Sequence, residues 1–144
     1  MKPPVETVRI SSQSREILIK IKRRLGLERW NEICRVALCR SLANTTKPTK
    51  PKSGWDSAIE IEWKTFAGDL SETFSALSLM RAHQDKIDAD KKDVFADYFR
   101  SHIERGIQSL QNVTTFEAYL CVDRASIGLP QIERSKSGAF NSAA

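Results

Sequence analysis

Asp85, Asp88, Asp90, Asp93 and Asp97 form the densest group of carboxylates in the chain. A metal ion serving hydrolysis needs two or three such groups converging on it. The glycine and the ligand spacing of a calcium loop are missing here. Lys86, Lys91 and Lys92 stand among the acids, which describes a charge-balanced, solvated stretch ahead of a helix. Asp56, Glu60 and Glu62 are a second acidic set, and nothing in the sequence fixes them in register. His102 lies on an apolar stripe with Tyr98 and Phe99, as a core histidine does, and His83 stands among charged residues. Cys34 and Cys39 are about 140° apart on one helix, too divergent to share a metal or a disulfide. The three cysteines therefore read as reduced, mostly buried thiols. The chain contains no CxxC, HExxH, glycine-rich phosphate loop or GxSxG. No catalytic residue, metal ligand or cofactor is expected.

The cations give a stronger signal. The net charge is +5, and it is unevenly placed. Residues 1–52 hold 13 Lys/Arg against 4 Asp/Glu, and residues 53–144 hold 10 against 14. One basic face on an acidic body is the expected result. The candidate contacts are Lys20, Lys22, Arg23 and Arg24, then Arg35, then Lys47, Lys50 and Lys52. Lysines and arginines on successive helical turns can meet phosphates at intervals close to the backbone repeat. Aromatic residues do not interleave with them, apart from Trp30, which is assigned to the core. Duplex backbone contact is therefore favoured over single-strand stacking. No apolar run reaches the roughly 18 residues of a membrane span, and Met1–Val5 has no signal-peptide character. A cytoplasmic location is expected.

These side chains need elements to position them. At 144 residues the chain makes one domain with a modest core. Residues 1–7 read as a flexible arm, 8–122 as a single helical domain with a basic linker at 44–54, and 123–144 as a disordered tail. Thr7–Ile10 could form a strand, which is too short to stand alone and most simply pairs with the same segment of another subunit. Ser11 or Ser12 caps a first helix that ends at Gly26. Its core stripe is Ile17, Leu18, Ile21 and Leu25, and Ile19 interrupts the charged side, as at a subunit contact. A second helix, from about Glu28 to Leu42, buries Trp30, Ile33, Cys34, Ala37 and Leu38. Residues 57–62 are extended or irregular. A third helix runs from near Lys64 to near Gln84, on a stripe of Ile59, Trp63, Phe66, Leu70, Phe74 and Leu77, with Gly68 off the stripe. The fourth follows a cap at Asp88 or Asp90 and is the most buried. Gly106 on its apolar face marks a close helix approach. A short last helix reaches Leu120. The expected class is mainly α: a compact domain of four to five helices, with a candidate short N-terminal strand, forming a homo-oligomer.

Strand, helix, glycine, helix, with Arg9 on the strand, resembles the ribbon–helix–helix family, in which Thr7, Arg9 and Ser11 would enter the major groove. A longer resemblance covers Val8 to Val122. LERWNEICRVALCRSL (Leu27–Leu42), the Pro/Lys linker, IEIEWKTFAGDL (Ile59–Leu70) and FRSHIERGIQSL (Phe99–Leu110) together resemble the DndE family of the bacterial DNA phosphorothioation system. That resemblance implies a helical subunit assembling as a tetramer. It implies binding of double-stranded DNA, with a preference for nicked duplex, through lysines and arginines gathered at the assembly's centre. It also implies work beside other phosphorothioation proteins, DndC and DndD. The family's basic positions on the first helix fall at Lys20, Lys22, Arg23 and Arg24. Arg23 and Arg24 stand where lysine is expected, which keeps the charge and alters the contact geometry. Arg35 occupies the arginine of the ICRxALC-like segment. Sulfur transfer requires a persulfide source and an activated phosphate. Neither motif is present, so a non-catalytic subunit is expected. The rival readings are a ribbon–helix–helix regulator and a metal-dependent DNA-nicking enzyme.

Overall fold

The computed structural model describes residues 1–120. Its first helix is bounded as its sequence dictates. The Ser11 hydroxyl accepts from the Ser14 amide at 3.2 Å, which caps α1 (Ser12–Leu25). Gly26 closes it in the left-handed region, φ 66° and ψ 33°, and the Leu27 amide reaches back to the Lys22 carbonyl at 2.9 Å. Ile17, Leu18 and Ile21 are buried. Helix α2 (Trp30–Ala43) buries Ile33, Cys34, Ala37 and Leu38. Both sets are the expected core stripes, apart from Leu25 and Trp30, which are half-buried.

Helix α2 packs on α5 (Lys92–Gln108), the most buried element, with Tyr98, Phe99, His102, Ile103, Gly106 and Ile107 inside. A Cβ added at Gly106 would lie 1.9 Å from the Ala37 carbonyl oxygen, so only glycine permits this crossing. A short last helix, α6 (Phe116–Leu120), follows Thr115, whose hydroxyl accepts from the Ala118 amide. The expected tail, residues 123–144, lies outside the described residues.

Three expectations need correction. The strand β1 (Thr7–Ile10) is present, but its partner belongs to the same chain. It pairs antiparallel with β2 (Ile59–Glu62), with Val8 opposite Ile61 and Arg9 opposite Glu60. The alternation of Ile59 and Ile61 with Glu60 and Glu62 is therefore a strand pattern. Next, the third helix is not continuous. Gly68, at φ 54° and ψ −133°, breaks it into α3 (Trp63–Ala67), a 3-10 turn (Gly68–Leu70) and α4 (Ser71–Gln84). That backbone conformation is open to glycine and not to side-chain-bearing residues. Finally, the break shifts the helical phase. Phe66 and Phe74 stay inside, while Leu70 and Leu77 turn outward, 47% and 41% exposed. Of the arm, Pro4 is buried, Val5 packs against the core, and Thr7 opens β1.

Trp63, Phe66, Phe74 and Phe99 meet between the sheet and the helices, with ring centroids 5.4–6.1 Å apart. Among the described residues, no helix is long and apolar enough to cross a membrane.

Candidate nucleic-acid interface

The cations of α1 fall into two kinds. Lys20 and Arg23 are exposed and take part in no ion pair or hydrogen bond among the described residues. Lys22 lays its ammonium 5.3 Å from the centroid of Trp30. Arg24 folds over to donate to the Val113 carbonyl at 2.6 Å, which ties α1 to the segment after α5. Lys22, Arg23 and Arg24 also occupy the last turn, where the helix dipole favours cations. Ile19 lies half-buried in a shallow 390 Å³ groove with Lys22, Arg23 and Trp30.

The linker is fastened to the body along its length. Arg81 donates to the Leu42 carbonyl at 2.8 Å and to the Thr46 carbonyl at 2.7 Å. Arg105 donates to the same Thr46 carbonyl and to the Ser41 carbonyl, each at 2.8 Å. Two guanidiniums thus add to the Asn44 amide in capping the C-terminal carbonyls of α2, and they pin the chain that leaves it. Asp85 holds Arg81 through a 3.0 Å ion pair. Pro48 is buried. Lys50 pairs with Asp97 at 2.8 Å and lies near Trp55, whose ring Arg100 covers at 4.9 Å. Asp56 then accepts from the Ser12 amide and hydroxyl at the start of α1. Those two donors hold its carboxyl below the usual carboxylate range. Lys47 and Lys52 remain exposed, with no ion pair among the described residues.

Arg35 is engaged as well. Its guanidinium donates to the Phe66 and Thr65 carbonyls at the end of α3. It stands so close to Gly68 that a Cβ there would sit 3.1 Å from its Nη2. The eight candidate cations therefore divide evenly. Lys20, Arg23, Lys47 and Lys52 are free to meet an anion, while Lys22, Arg24, Arg35 and Lys50 hold other parts of the fold. Asp56, just past the linker, is held at Ser12, and Arg24 is anchored at Val113, so these two attachments lie at opposite ends of α1. Arg81 and Arg105 are missing from the candidates. Each sits inside an ordinary helical pattern, and its carbonyl partners are far away in sequence.

The acids are mostly committed too. Asp85 serves Arg81 and the Tyr98 hydroxyl, Asp88 lies 3.9 Å from Lys91, and Asp97 takes Lys50. Glu60 lies 3.5 Å from Arg9. Among the described residues, no three His, Cys, Asp or Glu side chains are placed to hold a metal ion. His102 is buried, its Nδ1 2.8 Å from the Ser41 hydroxyl. Burial, together with the Arg105 and Arg81 cations, pushes its imidazole down to about 3, so it is neutral near pH 7. The Arg105 Nε–H also donates to the Ser41 oxygen, so Ser41 links the two side chains.

Residues 7–118, most of the chain, match the family model for DNA sulphur modification protein DndE. The chain belongs to the DndE family. Its place in DNA sulfur modification follows from that membership. No curated protein matches the chain. In this DndE-family fold the strand and helix pair of the N-terminal third are closed off by the chain's own β2. The outward ribbon positions are Thr7, Arg9, Glu60 and Glu62. Two acids on that face oppose entry into a DNA groove.

Proposed function

We propose that the chain is a non-catalytic, DNA-binding subunit of the phosphorothioation machinery. It binds double-stranded DNA, preferring nicked duplex, and works beside DndC and DndD in the cytoplasm. The observation that carries this reading is the exposure of Lys20, Arg23, Lys47 and Lys52 without ion pairs among the described residues, on a chain of the DndE family. Four phosphate contacts make a modest site for one subunit. Self-association into a tetramer supplies more by pooling the cations of several copies. The exposed Leu70, Leu77, Leu79 and Met80 of α4 and the preceding turn support such self-association.

The test is binding to nicked and intact duplexes of the same sequence at several salt concentrations. Tighter binding to the nicked form, with a steep salt dependence and little sequence preference, supports the proposal. Equal affinity for the two forms counts against the nick preference. If Lys20→Glu with Arg23→Glu leaves affinity unchanged, the site is elsewhere. The ribbon–helix–helix reading is weakened by Glu60 and Glu62 on the outer ribbon. The nicking-enzyme reading is weakened by the pairing of the acids with arginines and lysines.

A further inference from the structure

Trp30 stands at the first position of α2, just past the loop that follows Gly26. Periodicity assigns it to the core, yet its side chain is only half-buried. Its indole walls the shallow 390 Å³ groove that it shares with Ile19, Lys22, Arg23, Gly26 and Leu27. The lining is thus apolar, with two cations and no acid. Among the described residues, no carboxylate pairs with Lys22 or Arg23. Glu16 lies two turns before Arg23 on α1. Glu28 lines a separate groove, with Arg29, on the β2 side of the indole.

The other tryptophans are placed differently. Trp63 is buried against Phe66 and Phe99. Trp55 also lies near two cations, but Lys50 is paired with Asp97, and Arg100 is 3.8 Å from the Glu104 carboxylate. Around Trp30 the positive charge is uncompensated. The last carbonyls of α1 give this helix end negative character, so a bare anion gains little from the backbone here. A flat aromatic ring that carries its own anion fits both the indole and the cations.

A nucleotide has that chemistry. We propose, on the DNA-binding reading above, that this groove receives one base of the bound DNA, stacked on the Trp30 indole, with the adjoining phosphate held by Arg23 and Lys22. The Lys22 ammonium, 5.3 Å from the ring centroid, yields its place to the base and turns to the phosphate. An exposed cation–π contact is weaker than a base stacked on an aromatic ring, so the exchange is favourable. The stacked base also gives a reason to prefer a nick. A nick leaves nearly all the phosphates in place, so cations alone distinguish it poorly from intact duplex. It does let a base beside the break leave the stack at lower cost than a base inside continuous duplex.

The test uses a nicked duplex with iododeoxyuridine as the last base before the nick, and an intact duplex with the same base at the same position. Irradiation joins iodouracil to an aromatic side chain stacked on it. The expected result is a cross-link from the nicked duplex to Trp30, identified by mass spectrometry, and none from the intact duplex. Trp30→Leu keeps an apolar side chain at this place. It is expected to weaken binding of the nicked duplex about tenfold and of the intact duplex by less than about twofold. Trp30→Phe retains a ring and most of the affinity. Circular dichroism checks that each variant folds, and the wild-type cross-link needs no variant at all. A cross-link from the wild type to other residues overturns the proposal. So does an equal loss of affinity for both duplexes in Trp30→Leu. Lost self-association in that variant, with DNA affinity unchanged, gives the groove to a second copy and overturns it too. A wild-type chain that binds neither duplex sinks the DNA-binding reading itself. One that binds both with a steep salt dependence, but forms no cross-link at Trp30, sinks the stacked base alone.

Discussion

Gly106 of α5 and Ala37 of α2 touch backbone to backbone, with 1.9 Å between the position of a Gly106 Cβ and the Ala37 oxygen. The two helices carry much of the core, so this contact sets how closely it packs. Gly106→Ala gains about 1 kcal/mol of helix propensity and loses about 3 kcal/mol by forcing the helices apart. A fall in melting temperature of roughly 5–8 °C is expected for a domain of this size. Thermal unfolding followed by circular dichroism measures it. An unchanged midpoint would show that α2 and α5 slide without strain.

Glu104 is a second point of stress. It is 2% exposed and accepts from the Ser11 amide at 2.8 Å, from the Ser11 hydroxyl at 2.7 Å and from the Ser14 hydroxyl. It thereby joins the start of α1 to the middle of α5. Glu104→Ala strands three buried donors and costs about 3 kcal/mol or more. Urea unfolding should show the loss. Exchange at the first amides of α1 should rise with it.

His102 links stability to pH. Its folded value of about 3 lies below the 6.5 of the free side chain. The contribution is complete above pH 6.5, because both states then carry a neutral ring. As pH falls below 6.5 the unfolded chain takes up a proton that the folded chain refuses, and stability declines until the pH passes the folded value. Between pH 7 and 5 this one group removes about 2 kcal/mol. His102→Gln keeps a hydrogen-bonding partner for the Ser41 hydroxyl and does not titrate. The wild type should therefore lose more stability than this variant over that interval, as read from urea midpoints. Parallel curves would contradict the assignment.

The division among the cations gives a prediction for DNA. Replacing Lys20 and Arg23 by alanine should flatten the dependence of log affinity on log salt by roughly 0.9 for each phosphate that is no longer neutralised. Lys50→Ala should leave that slope close to the wild-type value, because the ammonium already serves Asp97. If Lys50→Ala flattens the slope as much as the α1 pair does, its ion pair opens on binding.

The helix pair is legible in the sequence because its signals are local. Ser11, Gly26 and the Ile17, Leu18 and Ile21 stripe all act within a turn or two of themselves. The partner of β1 is not legible there, since β2 follows some fifty residues later and its alternation also fits a helical stripe. Gly68 does not declare itself as a break by its spacing alone. What fixes it is a positive φ and the Arg35 guanidinium packed beside it. The candidate site is half legible. Charge locates the basic stretch, but only the fold separates Lys20 and Arg23 from Arg24 and Arg35, whose carbonyl partners are distant in sequence. Glu104 looks like one more exposed acid on a helix until Ser11 and Ser14 are placed against it.

The clamp of Arg81 and Arg105 on Thr46 has a thermodynamic consequence. A lysine-bearing strap left free in solution would have to be frozen on every encounter with a polyanion. Held at Thr46, at Lys50 and at Asp56, this one is tied to the body, so under the proposed DNA binding Lys47 and Lys52 would dock as parts of a preformed surface. Such an association would displace counterions without ordering a chain. Calorimetry should find only a small heat-capacity change, unlike the large negative one of a segment that folds as it binds.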